Sequence, residues 1–185
     1  EIARVIRIPF TVGGGISQVR DIEALLKAGA DKVSLNTAIV FNPELISEAS
    51  KQFGSQAVVA AIDVKRNPQG IHKVYIKGGR EETDLEAYSW CAKTVELGAG
   101  EILLTSMDKD GTKEGYDLEL LAGIVKLVSV PVIASGGAGI KEHFLDAFIK
   151  ADVEACLAAS LFHYGILNIM DLKHYLKENK INIRI

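Results

Sequence analysis

The stretch Pro9-Phe10-Thr11-Val12-Gly13-Gly14-Gly15 recurs later in the chain as Pro131-Val132-Ile133-Ala134-Ser135-Gly136-Gly137. Each copy is a short apolar run ending in small residues, which is typical of a buried strand followed by a tight turn. A second pair of strand ends follows at a similar interval, Ser34-Leu35-Asn36-Thr37-Ala38 and then Leu157-Ala158-Ala159-Ser160. Both pairs are displaced by about 122 positions, close to the length of four βα units of roughly 30 residues each. The sequence therefore predicts an α/β fold built as two similar halves of a (βα)8 TIM barrel.

Between these copies, short β-branched runs alternate with longer amphipathic stretches, a pattern that predicts parallel strands joined by crossover helices. Six such units can be counted. Strands are expected at residues 8–12, 32–35, 57–62, 101–105, 130–134 and 155–158. Helices are expected at about residues 19–28, 43–53, 85–97, 118–128, 141–150 and 171–178.

A closed barrel of this kind needs eight units and typically has about 250 residues. We therefore expect residues 1–185 to form a single partial barrel domain that holds the third to eighth units, with the first two upstream of Glu1. An open six-stranded sheet would expose an apolar edge, which disfavours a stable monomer. The alternative is a complete but smaller doubly wound sheet.

Composition excludes several classes of protein. The chain has 185 residues, is 48% hydrophobic and 24% charged, and has a formal net charge of -3. Its basic residues are scattered, so nucleic-acid binding is not expected, and no apolar run reaches the roughly 20 residues of a membrane span. The two cysteines, Cys91 and Cys156, lie alone in apolar stretches and are predicted to be core residues. The first residues do not form a signal peptide, so we expect a cytoplasmic protein.

Glycines directly after strands predict two anion sites, because backbone N–H groups there can approach a ligand closely. The glycines of 13–15 and of 135–137 would each be completed by the small polar end of the next strand, Asn36-Thr37 and Ala159-Ser160. A lone glycine pair is more often a tight turn, but here four elements repeat in register. The pattern favours a substrate with a phosphate at each end.

Acidic residues follow two of the strands between these sites. Asp63 stands one residue beyond an apolar run, where partial desolvation would raise its pKa and suit a general acid or base. Asp108 and Asp110 follow the next strand. The alternative interpretation of Asp63 is a cap, and that of Asp108 and Asp110 is a turn.

The sequence gives little support for a metal site or for a catalytic nucleophile. The four histidines, His72, His143, His163 and His174, do not fall in a cluster with ligand spacing, so no metal site is expected. No cofactor is expected either. Ser135 precedes two glycines and fits anion binding better than nucleophilic attack.

At these motifs the chain resembles the cyclase subunit of imidazole glycerol phosphate synthase, a (βα)8-barrel family of histidine biosynthesis. The resemblance covers essentially all 185 residues. It is carried by residues 9–16, 32–38, 61–66, 101–117, 134–139 and 157–160.

The resemblance implies a lyase that takes ammonia and a bisphosphorylated ribulosyl-imidazole-carboxamide nucleotide to imidazole glycerol phosphate and aminoimidazole carboxamide ribonucleotide. It implies that Asp63 is one of two catalytic aspartates. The other ends the first strand of the family's barrel, which we expect upstream of Glu1, so this chain alone is expected to have little or no activity. The implied partner is a glutaminase (amidotransferase) subunit that forms a heterodimer with the cyclase and supplies ammonia.

The resemblance also assigns binding residues. Asp31 is implied to face the glutaminase, while Lys32 and Glu101 match a charged ring through which ammonia enters the barrel; their alternative is a solvated strand entry. Gly115-Tyr116-Asp117 favours the cyclase over two alternatives, the phosphoribosyl isomerase of the same pathway and a non-catalytic phosphate-binding barrel fragment. The implied substrate and phosphate residues are Gly15, Asn36, Thr37, Asp110, Gly111, Ser135, Gly136, Gly137, Ala159 and Ser160.

Overall fold

The computed structural model describes residues 2–185 and has one sheet that contains six parallel strands. Their order in the sheet is the order in the chain, and every neighbouring pair among them is parallel. The predicted parallel α/β architecture is therefore confirmed. These strands are β1 Thr11–Gly13, β2 Lys32–Leu35, β3 Val58–Arg66, β6 Glu101–Ser106, β7 Val132–Ser135 and β8 Ala155–Cys156.

Helices connect these strands, and local sequence sets their ends. Asp21 accepts hydrogen bonds from the backbone N–H groups of Ser17 and Gln18, at 3.0 and 3.1 Å, which fixes the start of the second helix. Asp117 accepts from the N–H of Leu120 at 3.2 Å at the start of the sixth. The longer helices are α2 Val19–Lys27, α4 Glu44–Phe53, α5 Ala87–Glu96, α6 Leu118–Leu127, α7 Lys141–Lys150 and α9 Ile169–Glu178.

Several short helical elements that the hydrophobic pattern did not predict lie before the first strand or between the longer elements. They are too short to show a helical period. They comprise α1 Ile2–Val5, α3 Thr37–Phe41, the 3-10 turn Ser55–Ala57 and α8 Ser160–His163.

A β-hairpin between β3 and α5 was also missed. Its strands are β4 His72–Ile76 and β5 Glu81–Glu86, and β4 pairs antiparallel with an extended β3 that continues to Arg66. The predicted helix start at residue 85 is therefore wrong, because Leu85 lies in β5 and the helix begins at Ala87. Alternating burial along β4 and the Gly78-Gly79 turn are hairpin signals.

Strand β1 starts later than predicted, at Thr11 instead of residue 8. The N–H of Phe10 donates to the carboxylate of Asp31 at 2.8 Å, and the carbonyl of Phe10 accepts from the N–H of Asp31 at 2.8 Å. Phe10 is therefore bonded to the residue just before β2, and the regular strand begins only at Thr11.

The two faces of the sheet have different environments. Ile102, Leu104 and Ser106 of β6 are buried, whereas the alternate residues Leu103 and Thr105 are only half-buried. Register places Asp63 beside Thr105, so the polar strand ends lie on the less buried face. The fully buried side chains of the other face pack with the helices in one hydrophobic core.

The cysteines behave as core residues, as predicted. Both are free thiols; Cys91 is fully buried and Cys156 is half-buried. Burial raises the pKa of each thiol to about 12, so both are protonated and unreactive at neutral pH. None of the helices in residues 2–185 has the length and apolar character needed to cross a membrane.

Candidate active site

A first cavity of about 600 Å3 opens at the carboxyl ends of β1, β2 and β3. Gly14 and Gly15 adopt positive φ angles of 93° and 72°, which turn the backbone around the cavity wall. This cavity brings together the predicted residues Gly15, Asn36 and Thr37 with Asp63. Its lining includes Gly14, Gly15, Ser34, Asn36, Thr37, Phe41, Asp63 and Gly78.

A second cavity of about 280 Å3 opens at the ends of β7 and β8. Gly136 and Gly137 are required there, because a Cβ atom would lie 2.6 Å from the Ser106 carbonyl and 2.1 Å from the Gly115 carbonyl, respectively. The N–H of Gly115 donates to the carbonyl of Gly137 at 2.8 Å, which joins two loops of the cavity. Its lining includes all seven residues predicted for the second phosphate site, Asp110, Gly111, Ser135, Gly136, Gly137, Ala159 and Ser160, together with Lys113.

A middle cavity of about 320 Å3 lies between these two. It shares Asp63 and Gly78 with the first cavity and Asp110 with the second. The three cavities thus form one groove with a glycine-walled pocket at each end and carboxylates between them. The turn at Gly78-Gly79, which sequence reasoning missed, borders this groove. Its signal was a glycine pair directly after a short alternating run.

Asp63 lies at the centre of the groove and is half-buried. Burial raises the pKa of its carboxyl group above the usual value, and the nearby charge of Asp110 acts in the same direction. Hydrogen bonds from Asn36 and Thr105 partly oppose this rise in pKa. The Asn36 Nδ2 atom donates to Asp63 Oδ2 at 3.1 Å. A carboxyl group with a raised pKa in a groove is a candidate for proton transfer.

The two other candidate carboxylates differ in environment. Asp110 borders the second and middle cavities. Asp108 instead accepts a hydrogen bond from the backbone N–H of Arg66 at 2.7 Å, and it does not line any of the three cavities formed by residues 2–185. The structure therefore supports the structural alternative for Asp108 and a site position for Asp110.

Lys32 and Glu101 lie at the opposite ends of their strands from the groove. Their side chains form an ion pair and are only 27% and 18% exposed, respectively. Asp31, the neighbouring residue, is exposed and caps the Phe10 backbone. The charged residues predicted for the ammonia gate and the partner surface therefore lie at the amino ends of the strands.

Histidines contribute little to this groove. His143 accepts a hydrogen bond from the N–H of Gly139 at 3.1 Å, and His72 is buried beside Tyr88. Within residues 2–185, no three side chains of His, Cys, Asp or Glu converge as metal ligands.

Comparison with known proteins identifies the family. Residues 1–168 match the family described as Histidine biosynthesis protein. The chain is 56% identical over 184 residues to the imidazole glycerol phosphate synthase subunit HisF of Hydrogenobaculum sp. strain Y04AAS1, covering 100% of this chain and 73% of that protein. It is 56% identical over 177 residues to HisF of Alkaliphilus metalliredigens, covering 96% and 70% of the two chains. It is 54% identical over 186 residues to HisF of Lachnoclostridium phytofermentans, covering 100% and 72%. The chain therefore belongs to the histidine biosynthesis protein family and, within it, to the HisF subunits of imidazole glycerol phosphate synthase.

Proposed function

We propose that this chain provides the catalytic groove for the cyclase reaction of imidazole glycerol phosphate synthase. The reaction combines ammonia with a bisphosphorylated ribulosyl-imidazole-carboxamide nucleotide and yields imidazole glycerol phosphate and aminoimidazole carboxamide ribonucleotide. The observation that carries the proposal is the continuous groove, in which two glycine-walled pockets flank Asp63. Two anion pockets with a proton-transfer group between them match a substrate that has a phosphate at each end.

In this proposal the first cavity holds one phosphate through Gly15, Asn36 and Thr37. The second cavity holds the other phosphate. Backbone N–H groups and small hydroxyl side chains suit phosphate oxygens because they donate hydrogen bonds without filling the pocket. The second set consists of Asp110, Gly111, Ser135, Gly136, Gly137, Ala159 and Ser160, in which Asp110 contacts the substrate beside the phosphate.

Asp63 is the catalytic acid and base in this proposal. Its raised pKa supports the role, because proton transfer is most effective when the pKa of the group approaches the working pH. Asn36 orients the carboxylate by donating a hydrogen bond, and Asn36 and Thr105 both favour its ionised form.

Lys32 and Glu101 act as part of an ammonia gate, and Asp31 lies on the surface that binds a glutaminase subunit. The half-buried ion pair supports this assignment, because Glu101 lies on the same face of the sheet as Asp63, at the opposite ends of the strands from the groove. Ammonia produced by the partner would reach Asp63 along the less buried face of the sheet.

For the fold, we propose that the six parallel strands are strands three to eight of a (βα)8 barrel and that residues 1–185 are one partial domain. In residues 2–185, the outer strands β1 and β8 each have one parallel neighbour. The match also covers only 70–73% of the three HisF relatives.

The deciding experiment measures formation of imidazole glycerol phosphate from the bisphosphate substrate with and without ammonium. It is run on this chain and on the chain joined to the amino-terminal segment of a HisF relative, with Asp63→Asn in both as the control. The proposal expects ammonium-dependent product in the joined protein and none in its Asp63→Asn variant. Isomerisation without ammonium would instead support the phosphoribosyl isomerase, and binding without turnover would support a non-catalytic phosphate-binding protein.

A further inference from the structure

The turn of the hairpin, Lys77-Gly78-Gly79-Arg80, lies against the first cavity. The backbone N–H of Lys77 donates to Thr37 Oγ1 at 2.9 Å. Gly78 forms part of the wall of both the first and the middle cavity. The turn is therefore held at the rim of the pocket to which we assign one phosphate.

The first cavity has a deficit of positive charge. Among the residues of 2–185 that line it there is no lysine or arginine, and one lining residue is the carboxylate Asp63. The second cavity, in contrast, includes Lys113 in its wall. A phosphate dianion is bound more strongly when a cationic group joins the backbone donors, because charge-assisted hydrogen bonds are stronger than neutral ones. A cation at the rim of the first cavity would therefore strengthen phosphate binding there.

The ammonium group of Lys77 is at that rim. Its Nζ atom lies 5.9 Å from the centre of the Phe41 ring, and Phe41 lines the first cavity. The same Nζ atom is 2.6 Å from a carboxylate oxygen of Glu81, and both side chains are about half exposed, at 52% and 49%. An exposed ion pair of this kind contributes little stability, so an incoming phosphate can replace the carboxylate.

The backbone of Lys77 resembles that of Lys113. Both have left-handed conformations that are uncommon for residues other than glycine, with φ angles of 56° and 61°. Each of the two anion pockets therefore has a lysine with a left-handed backbone at or near its wall.

We infer that Lys77 supplies the cation of the first phosphate pocket by exchanging its Glu81 partner for a phosphate oxygen. This inference rests on the proposed function, because it deepens the assignment of that pocket to phosphate. Binding moves the ammonium group between two anions. Lys77 is thus a binding residue rather than a catalytic one.

The test titrates the full chain with inorganic phosphate and follows the backbone amide signals of Gly14 and Gly15 by NMR, with those of Gly136 and Gly137 as an internal reference. Lys77→Asn removes the charge and retains a residue that tolerates the left-handed backbone. It should weaken binding at Gly14 and Gly15 about fivefold, the scale of one exposed charge pair, and leave Gly136 and Gly137 unchanged. Glu81→Gln removes the competing carboxylate and should strengthen binding at Gly14 and Gly15 by about twofold.

Arg80→Asn is the matched control, because it removes the same charge from the same exposed turn without lining the cavity. It should leave both pockets unchanged. Equal weakening by Lys77→Asn and Arg80→Asn would overturn the inference in favour of a general charge effect. The inference would also be overturned if Lys77→Asn bound phosphate at Gly14 and Gly15 as tightly as the wild type does. The same holds if the wild-type protein showed no phosphate-dependent shifts at Gly14 and Gly15. The proposed function is tested separately by ammonium-dependent turnover. If turnover is observed but Lys77→Asn binds phosphate as the wild type does, the role of Lys77 is wrong and the proposed function stands.

Discussion

The side-chain amide of Asn36 donates to the carboxylate of Asp63 at 3.1 Å, across two neighbouring parallel strands. The oxygen of the same amide accepts a hydrogen bond from the hydroxyl of Thr37 at 3.2 Å, and that hydroxyl accepts from the N–H of Lys77 at 2.9 Å. The hairpin turn, the first phosphate pocket and the candidate catalytic carboxylate are thus linked by successive hydrogen bonds. A change at any of these positions alters the orientation of the next.

Asp63→Asn tests the central assignment. In a chain competent for turnover, the substitution should reduce kcat at least about 100-fold, the usual contribution of one general acid or base. The affinity for the bisphosphate should remain within about threefold, because no phosphate donor is removed. Steady-state kinetics and direct substrate binding measure the two effects. A large loss of affinity would show that Asp63 binds substrate rather than transferring protons.

Thr105→Val tests how the pKa of Asp63 is set. Thr105, the register neighbour of Asp63, lowers the pKa of that carboxyl group, so removal of its hydroxyl should raise that pKa further. The limb of the pH–rate profile that reports Asp63 should therefore move to higher pH. Thr94→Val is the matched control, because the Thr94 hydroxyl donates to the Cys91 carbonyl within a distant helix. A profile shifted equally by both variants, or by neither, would contradict the assignment.

Lys32→Ala tests the ammonia gate. Loss of the ion pair with Glu101 should reduce glutamine-driven turnover by about tenfold, while turnover with saturating free ammonium changes less than about twofold. The assay requires the glutaminase partner and compares both nitrogen sources. Lys27→Ala, which removes an exposed lysine paired with Glu23 on helix α2, should affect neither activity. Equal losses with glutamine and ammonium would rule out a gate and indicate general damage to the barrel.

His72→Phe tests a buried polar group. Within residues 2–185, the Nε2 atom of His72 is buried without a hydrogen-bond partner, and its ring lies 6.2 Å from that of Tyr88. Phenylalanine preserves the aromatic contact and removes the unpaired group, so the free energy of unfolding should rise by about 1 kcal/mol. Chemical denaturation measures this change. The same substitution at the exposed His174 should be near neutral; a destabilised His72→Phe variant would show that this histidine has a partner in solution.

The periodic parts of the fold were predictable because both faces of a parallel strand and one face of each helix are apolar. The strand β2 was predicted with its observed bounds, Lys32–Leu35, and so was the helix α7, Lys141–Lys150. The hairpin was not predicted, because residues 72–86 combine a short alternating run with a charged one. Only tertiary pairing of β4 with the extended end of β3 fixes their structure.

Some residues of the candidate site could likewise be predicted from the sequence, and others could not. Glycines such as Gly137 could be predicted from the sequence because they repeat at strand ends. The structure gives the reason for the glycine, since a Cβ atom at Gly137 would collide with the backbone. The residues alone did not separate Asp108 from Asp110, because both follow the same strand, and only the family resemblance assigned Asp110 to the substrate. Their difference depends on which carboxylate meets the N–H of Arg66 across the sheet. The position of Lys77 depends likewise on how a hairpin folds over a neighbouring unit.

The two described ends of the groove are unequal. The first pocket has about 600 Å3 and is bordered by the hairpin turn at Gly78, whereas the second has about 280 Å3 and includes Lys113 in its wall. A substrate with two phosphates could enter a groove with equal ends in either direction, and one of the two would place the wrong carbon atom at Asp63. Unequal ends let the same groove hold such a substrate in one direction only.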